Sequence, residues 1–157
     1  MRKYVCIVFL MFLGFSCAAQ KIEVKKDMIL VNGAQYAIIQ QYGCRVVDSP
    51  CAYLIRSIDG RKLFAIKQQY FVEKGQGSIP YLEYIFFTSR KTAETDFPSG
   101  VSLLGPSQMA KRIVQLGLLD NGLLNEEAAY DFIIHNGTPY TDKKRQQQPG
   151  SGPHLRN

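Results

Sequence analysis

One histidine near the end of the chain has acidic neighbours at helical spacing. His135 follows Asp131 by four residues and Glu127 by eight, so a helix would place all three on one face. Such a stripe could orient a catalytic base or contribute metal ligands. Positions eight apart on a straight helix, however, lie about 12 Å apart along its axis, too far to converge on one ion. We therefore predict no metal site and no cofactor.

Asp131 and His135 also have a purely structural interpretation. A histidine in the last turn of a helix interacts favourably with the helix C-terminus, and Asp131 is placed to pair with it. Catalysis would also need an activated nucleophile and an oxyanion hole, and the chain contains no G-x-S-x-G motif. A small secreted hydrolase using Asp131 and His135 is thus kept only as an alternative to a protein without catalytic activity.

Two cysteines remain once the N-terminal segment is set aside. Cys44 and Cys51 do not have C-x-x-C spacing, and no histidine lies near them in sequence. An even pair in an oxidising compartment is most simply a disulfide. Closing so short a loop would stabilise the fold by about 2 to 3 kcal/mol.

Aromatic residues are the other candidates for a site. The segment from Tyr81 to Ser89 reads as a strand, and strand alternation places Tyr84 and Phe86 on one face and Tyr81 and Phe87 on the other. Because both faces carry apolar bulk, either the sheet has a second covering layer or a barrel-like shape, or one face binds a ligand. Tyr81, Tyr84 and Phe87 are the candidate binding residues for a glycan, a peptide or a partner protein.

The first 19 residues are typical of a secretion signal. Arg2 and Lys3 precede an apolar run from Val5 to Phe15, and small residues follow before Gln20. The run has about 11 residues, whereas a spanning helix needs about 20, so no transmembrane anchor is predicted. The protein is expected to be exported to the periplasm or the medium. An outer-membrane lipoprotein anchored through Cys17 is the alternative.

The positive charge of the chain is concentrated at its ends. Removing Arg2 and Lys3 lowers the formal charge from +6 to +4, and +3 of that belongs to residues 142–157. The body is therefore nearly neutral, and a basic face of the kind that binds nucleic acid is not predicted. Residues 142–157, rich in Gln, Pro and Gly, are expected to form a disordered basic tail.

Residues 20–141 have the length of a single domain. Turn signals at Asn32-Gly33 and Asp59-Gly60 separate strand-like runs and predict two hairpins. After Pro98 the pattern becomes helical, with one helix beginning at Pro106 and a second capped by Asn125. The sequence therefore predicts an α+β fold, in which an antiparallel sheet of about five to six strands is followed by a C-terminal helical hairpin packed on it.

The predicted function follows from the export signal and from the scarcity of catalytic residue types. We expect a small exported bacterial domain that acts as a binding or envelope-associated structural module without catalytic activity. The alternatives are the small hydrolase described above and a secreted inhibitor or immunity-type protein that docks on an enzyme.

Overall fold

Seven strands form one antiparallel sheet whose spatial order is the chain order. A computed structural model of the protein describes residues 20–44, 51–73, 75, 77–100 and 104–147. The α+β class is confirmed, with seven strands in this sheet against the predicted five to six. The predicted signal segment and Cys17 lie outside the described residues. The strands are β1 (Ile22–Lys25), β2 (Met28–Val31), β3 (Ala34–Tyr42), β4 (Ala52–Arg56), β5 (Lys62–Glu73), β6 (Gly77–Phe86) and β7 (Thr92–Asp96).

Tight turns with positive φ connect the first strands. Asn32 and Gly33 have φ of 52° and 83°, and they join β2 to β3 as predicted. Lys26 and Asp27, with φ of 48° and 66°, join β1 to β2 in the same way. Two successive positive φ values give the turn that matches the twist of a hairpin. The predicted hairpin between β4 and β5 is also confirmed.

Three helices and a small second hairpin follow the sheet: α1 (Pro106–Gln115), β8 (Leu119–Asp120), β9 (Leu123–Leu124), α2 (Glu126–Asn136) and α3 (Pro139–Gln147). Both predicted helix starts are confirmed. Pro106 opens α1, and the Asn125 side chain accepts a hydrogen bond from the Ala128 amide at 3.1 Å. Within the described residues, no helix is long and apolar enough to cross a membrane.

One face of the sheet packs under α1 and α2, and we call it the helix face. The Phe132 ring of α2 contacts Tyr84 and Phe86, with centroids 4.8 and 6.2 Å apart. From α1, Arg112 donates a hydrogen bond to the Tyr84 hydroxyl at 3.0 Å, and burial raises the pKa of that hydroxyl. The buried strand residues of this face are Ile29, Ala37, Ile39, Tyr53, Ile55, Phe64, Ile66, Leu82, Tyr84, Phe86 and Ala93.

The third helix was not expected. The sequence predicts a disordered tail from Asp142, whereas residues 142–147 form the C-terminal part of α3, so the predicted boundary is wrong. The chain leaves α2, passes the edge of β7, where Gly137 accepts a hydrogen bond from the Glu94 amide at 2.9 Å, and continues on the other side of the sheet. Residues 148–157 lie outside the described part of the chain.

Candidate functional site

The face of the sheet opposite α1 and α2 is only partly covered. Strand register shows which residues share it, because partners directly opposite in neighbouring strands point to the same side. We call this surface the open face and define it by seven residues: Ile38, Gln40, Leu54, Ala65, Lys67, Glu83 and Ile85. All seven are partly exposed, whereas the residues that alternate with them along the strands are mostly buried.

One row across the open face is mainly aliphatic. Gln40 pairs with Leu54, Leu54 with Ala65, and Ala65 with Ile85. With strands about 4.8 Å apart, the row spans about 14 Å. The short side chain of Ala65 lies between the longer Leu54 and Ile85, so the surface is lowest at that point. This row offers apolar contact area to a ligand.

The next row along the strands is polar. Tyr42 pairs with Ala52, Ala52 with Lys67, and Lys67 with Glu83. The Lys67 ammonium lies 3.9 Å from the Glu83 carboxylate, and the two side chains are 44% and 22% exposed. The Tyr42 ring is 49% exposed. Ala52 is the diagonal neighbour of Ala65 across β4 and β5, and we call the surface over these two short side chains the alanine trough.

A disulfide joins β3 and β4 near the end of this polar row. The sulfur atoms of Cys44 and Cys51 lie at disulfide distance, as predicted, and the Cα atoms are 4.5 Å apart. Cys44 follows Tyr42 by two residues, and Cys51 directly precedes Ala52. The bridge therefore joins the ends of β3 and β4, but both cysteines pack against the core of the helix face, so the bridge lies on the side of the sheet opposite the open face.

Helix α3 covers the part of the same face that lies beyond the polar row on β5, β6 and β7. The Tyr140 ring stacks on Tyr81, with centroids 4.4 Å apart, and lies 5.9 Å from the ring of Phe71. Its hydroxyl donates a hydrogen bond to Asp96. Burial, together with that nearby carboxylate, raises the pKa of Tyr140 to about 12. Lys144 donates a second bond, at 2.9 Å, to the Tyr81 hydroxyl.

The N-terminus of α3 is held by a carboxylate from β7. Glu94 is 1% exposed, and its Oε2 accepts hydrogen bonds from the backbone amides of Tyr140 at 2.7 Å and Thr141 at 3.0 Å. The Thr141 hydroxyl donates to its other oxygen. The first amides of a helix have no intrahelical partner and carry partial positive charge, so a buried carboxylate is well satisfied there. Glu94 thus holds α3 against the sheet at one side of the open face.

The three candidate aromatic residues do not share a surface. Tyr84 is fully buried on the helix face, and Tyr81 is 2% exposed beneath α3. Phe87, in the turn after β6, is 39% exposed. A ligand could reach Tyr81 only if α3 moved aside, and it could reach Tyr84 only if the core opened.

The candidate catalytic residues both lie on the outer surface of α2. Asp131 and His135 are exposed, and no salt bridge joins them in the described part of the chain. Among the same residues, no group of three His, Cys, Asp or Glu side chains could hold a metal ion. The structure places no described hydroxyl or thiol in a hydrogen bond with His135. Within this part of the chain, His135 therefore has neither a partner that orients it nor a nucleophile bonded to it.

Two smaller apolar surfaces lie elsewhere. Tyr130 and Ile134 form an outward pair on α2, 57% and 62% exposed, with the Lys91 ammonium 5.5 Å from the tyrosine ring. Ile58 and Leu123, 50% and 45% exposed, border a wide cleft of about 360 Å³ between the β4–β5 turn and the β8–β9 hairpin.

Comparison of the chain with protein-family models, curated proteins and solved structures finds no match.

Proposed function

We propose that this protein is an exported binding module without catalytic activity, and that it binds an extended peptide segment of a partner on its open face. The observation that carries the proposal is the aliphatic row from Leu54 through Ala65 to Ile85, which stays partly exposed beside the part of the face that α3 covers. Apolar area that a fold leaves uncovered in a continuous strip is typical of an interaction surface.

The chemistry of the row favours a peptide over a glycan. Sugar rings are bound by stacking on aromatic faces, and Tyr42 is the one aromatic ring among the two rows described above. Aliphatic side chains of a peptide would instead fill the alanine trough, where Ala52 and Ala65 leave room. Gln40 at one end of the aliphatic row has an amide that can pair with peptide groups.

Export is supported by two features of different kinds. The first 19 residues have the pattern of a secretion signal, and the sulfur atoms of Cys44 and Cys51 lie at disulfide distance. Disulfides persist mainly outside the cytoplasm. A bridge between the ends of β3 and β4 would keep these two strands in register and so preorganise the open face on the other side of the sheet for binding.

Selection from a displayed random-peptide library tests the proposed site. We expect the selected peptides to be rich in aliphatic residues and to lose about tenfold or more in affinity on Leu54→Asp, because a buried contact is replaced by a charge. Tyr130→Asp is the matched control, since it adds the same charge to an exposed apolar residue outside the open face. Selected peptides that tolerate Leu54→Asp but depend on Tyr130 would contradict the proposal.

A further inference from the structure

Two basic residues are register partners at the border of the open face, next to a β-bulge between Ile55 and Arg56. Arg56 of β4 pairs with Lys62 of β5 and with Ile38 of β3. Like charges directly opposite in neighbouring strands repel each other and destabilise the pairing. Within the described ranges no carboxylate lies within salt-bridge distance of either residue; the nearby Asp59 pairs with Arg61 at 2.7 Å.

The guanidinium of Arg56 is also incompletely satisfied. Its Nη1 donates a hydrogen bond to the Gly60 carbonyl at 3.3 Å. Its Nε is buried and has no hydrogen-bond partner. A buried donor without a partner costs free energy, and a guanidinium presents its donors as a planar fork that matches a carboxylate. Because Nε is buried and Nη1 is bonded to Gly60, a carboxylate from solvent would meet the guanidinium at its remaining nitrogen, Nη2.

Arg56 lies close to the aliphatic row of the open face. Arg56 is two residues from Leu54 on the same strand, and both are on the same side of the sheet. Successive side chains on one side of a strand are about 7 Å apart. An extended segment laid on this surface could therefore place an aliphatic side chain in the alanine trough and a carboxylate near Arg56.

We infer that Arg56 and Lys62 form a carboxylate-binding subsite, so that the segment bound on the open face carries a carboxylate within about two residues of its aliphatic anchor. This inference rests on the proposed function. The carboxylate has two sources, the C-terminus of the partner or an acidic side chain within it. Both provide the same charged, planar acceptor to the guanidinium.

Three small probes separate these cases. N-acetyl-leucine has an aliphatic side chain and a free α-carboxylate, N-acetyl-leucine amide lacks the charge, and N-acetyl-glutamyl-leucine amide carries only a side-chain carboxylate. The probes are titrated into the intact, disulfide-bonded protein while NMR follows the Arg56 Nε–H signal and the methyl signals of Leu54 and Ile85. We expect at least one acid to bind about tenfold more tightly than the neutral amide and to shift the Arg56 signal. Whichever acid binds more tightly identifies the source.

Variants show whether the preference comes from the two cations. Arg56→Gln is expected to abolish the preference for the acids, and Lys62→Gln to reduce it while leaving the fold intact, since Lys62 is exposed. Arg61→Gln is the matched control, because its charge is already paired with Asp59. Equal binding of acids and amide at Leu54 and Ile85 would overturn the subsite but leave the proposed function standing. Binding of no probe on the open face would overturn both.

Discussion

Replacing Glu94 with alanine is expected to release α3 from the sheet. The carboxylate accepts hydrogen bonds from the amides of Tyr140 and Thr141 and from the Thr141 hydroxyl. Its removal leaves these donors without a partner, at a cost of about 2 to 3 kcal/mol. Tyr140 is the one buried residue of α3, and apart from its contacts and the bond from Lys144 to Tyr81, Glu94 makes the main attachment of the helix to the sheet. Hydrogen exchange of the α3 amides, measured together with urea unfolding, is the suitable readout.

Glu83→Ala provides the control for this prediction. Glu83 lies on the neighbouring strand, directly opposite Glu94, but its carboxylate is near Lys67 and Gln69 instead of α3. A partly exposed ion pair of this kind contributes about 1 kcal/mol or less. If exchange in α3 were as slow in Glu94→Ala as in Glu83→Ala, Glu94 would not be what holds the helix.

Gly122→Ala is expected to be the most damaging glycine substitution in the described part of the chain. Gly122 has a φ of +77°, and a Cβ there would lie 2.1 Å from the Tyr36 carbonyl oxygen in β3. Left-handed backbone and a collision with rigid main chain together should cost about 3 to 5 kcal/mol. The β8–β9 hairpin would have to move away from β3, and this would break the hydrogen bond from the Tyr36 hydroxyl to the Leu119 carbonyl.

Gly33→Ala separates the cost of the left-handed backbone conformation from the cost of the collision with Tyr36. Gly33 has a similar φ of +83°, but nothing lies within 4 Å of the added Cβ. Only the cost of placing alanine in a left-handed backbone conformation remains, so the free energy of unfolding should fall by about 1 to 2 kcal/mol. Urea unfolding of both variants measures the difference. Equal losses would show that β8–β9 does not pack against Tyr36 as closely as described.

Features governed by local chemistry could be predicted from the sequence. Asn32-Gly33 specifies a hairpin because its two residues tolerate positive φ, and the structure has that hairpin. Pro106 and Asn125 mark helix starts because a helix N-terminus needs no donor at its first position and an acceptor at its cap. These signals act over a few residues, so they do not depend on the rest of the fold.

Helix α3 could not be predicted in the same way. Residues 142–147 are almost entirely polar, and no apolar periodicity indicates a helix there. The helix is instead stabilised by Glu94 and Tyr81, which precede Tyr140 by 46 and 59 residues. Contacts between such distant positions leave no local pattern in a single sequence.

The open face could not be predicted from the sequence for a related reason. Alternation shows that Leu54 and Ile85 point away from Tyr53 and Tyr84, but it does not show which set the helices cover. Tyr81 and Tyr84 are candidate binding residues because they are aromatic, yet Tyr84 fills the core and Tyr81 lies under α3. Short side chains such as Ala65 carry no chemical signal, although here they shape the trough.

A fragment screen followed by NMR would test most directly the claim that this protein binds its ligand on the open face. Small neutral and acidic fragments collect where a protein has a genuine binding surface, because such sites combine apolar area with a few polar groups. We predict that the fragments shift the signals of Leu54, Ala65 and Ile85, and that the acidic ones also shift Arg56. Clustering of the fragments at Tyr130 and Ile134, at the cleft beside Ile58, or around His135 would contradict the claim.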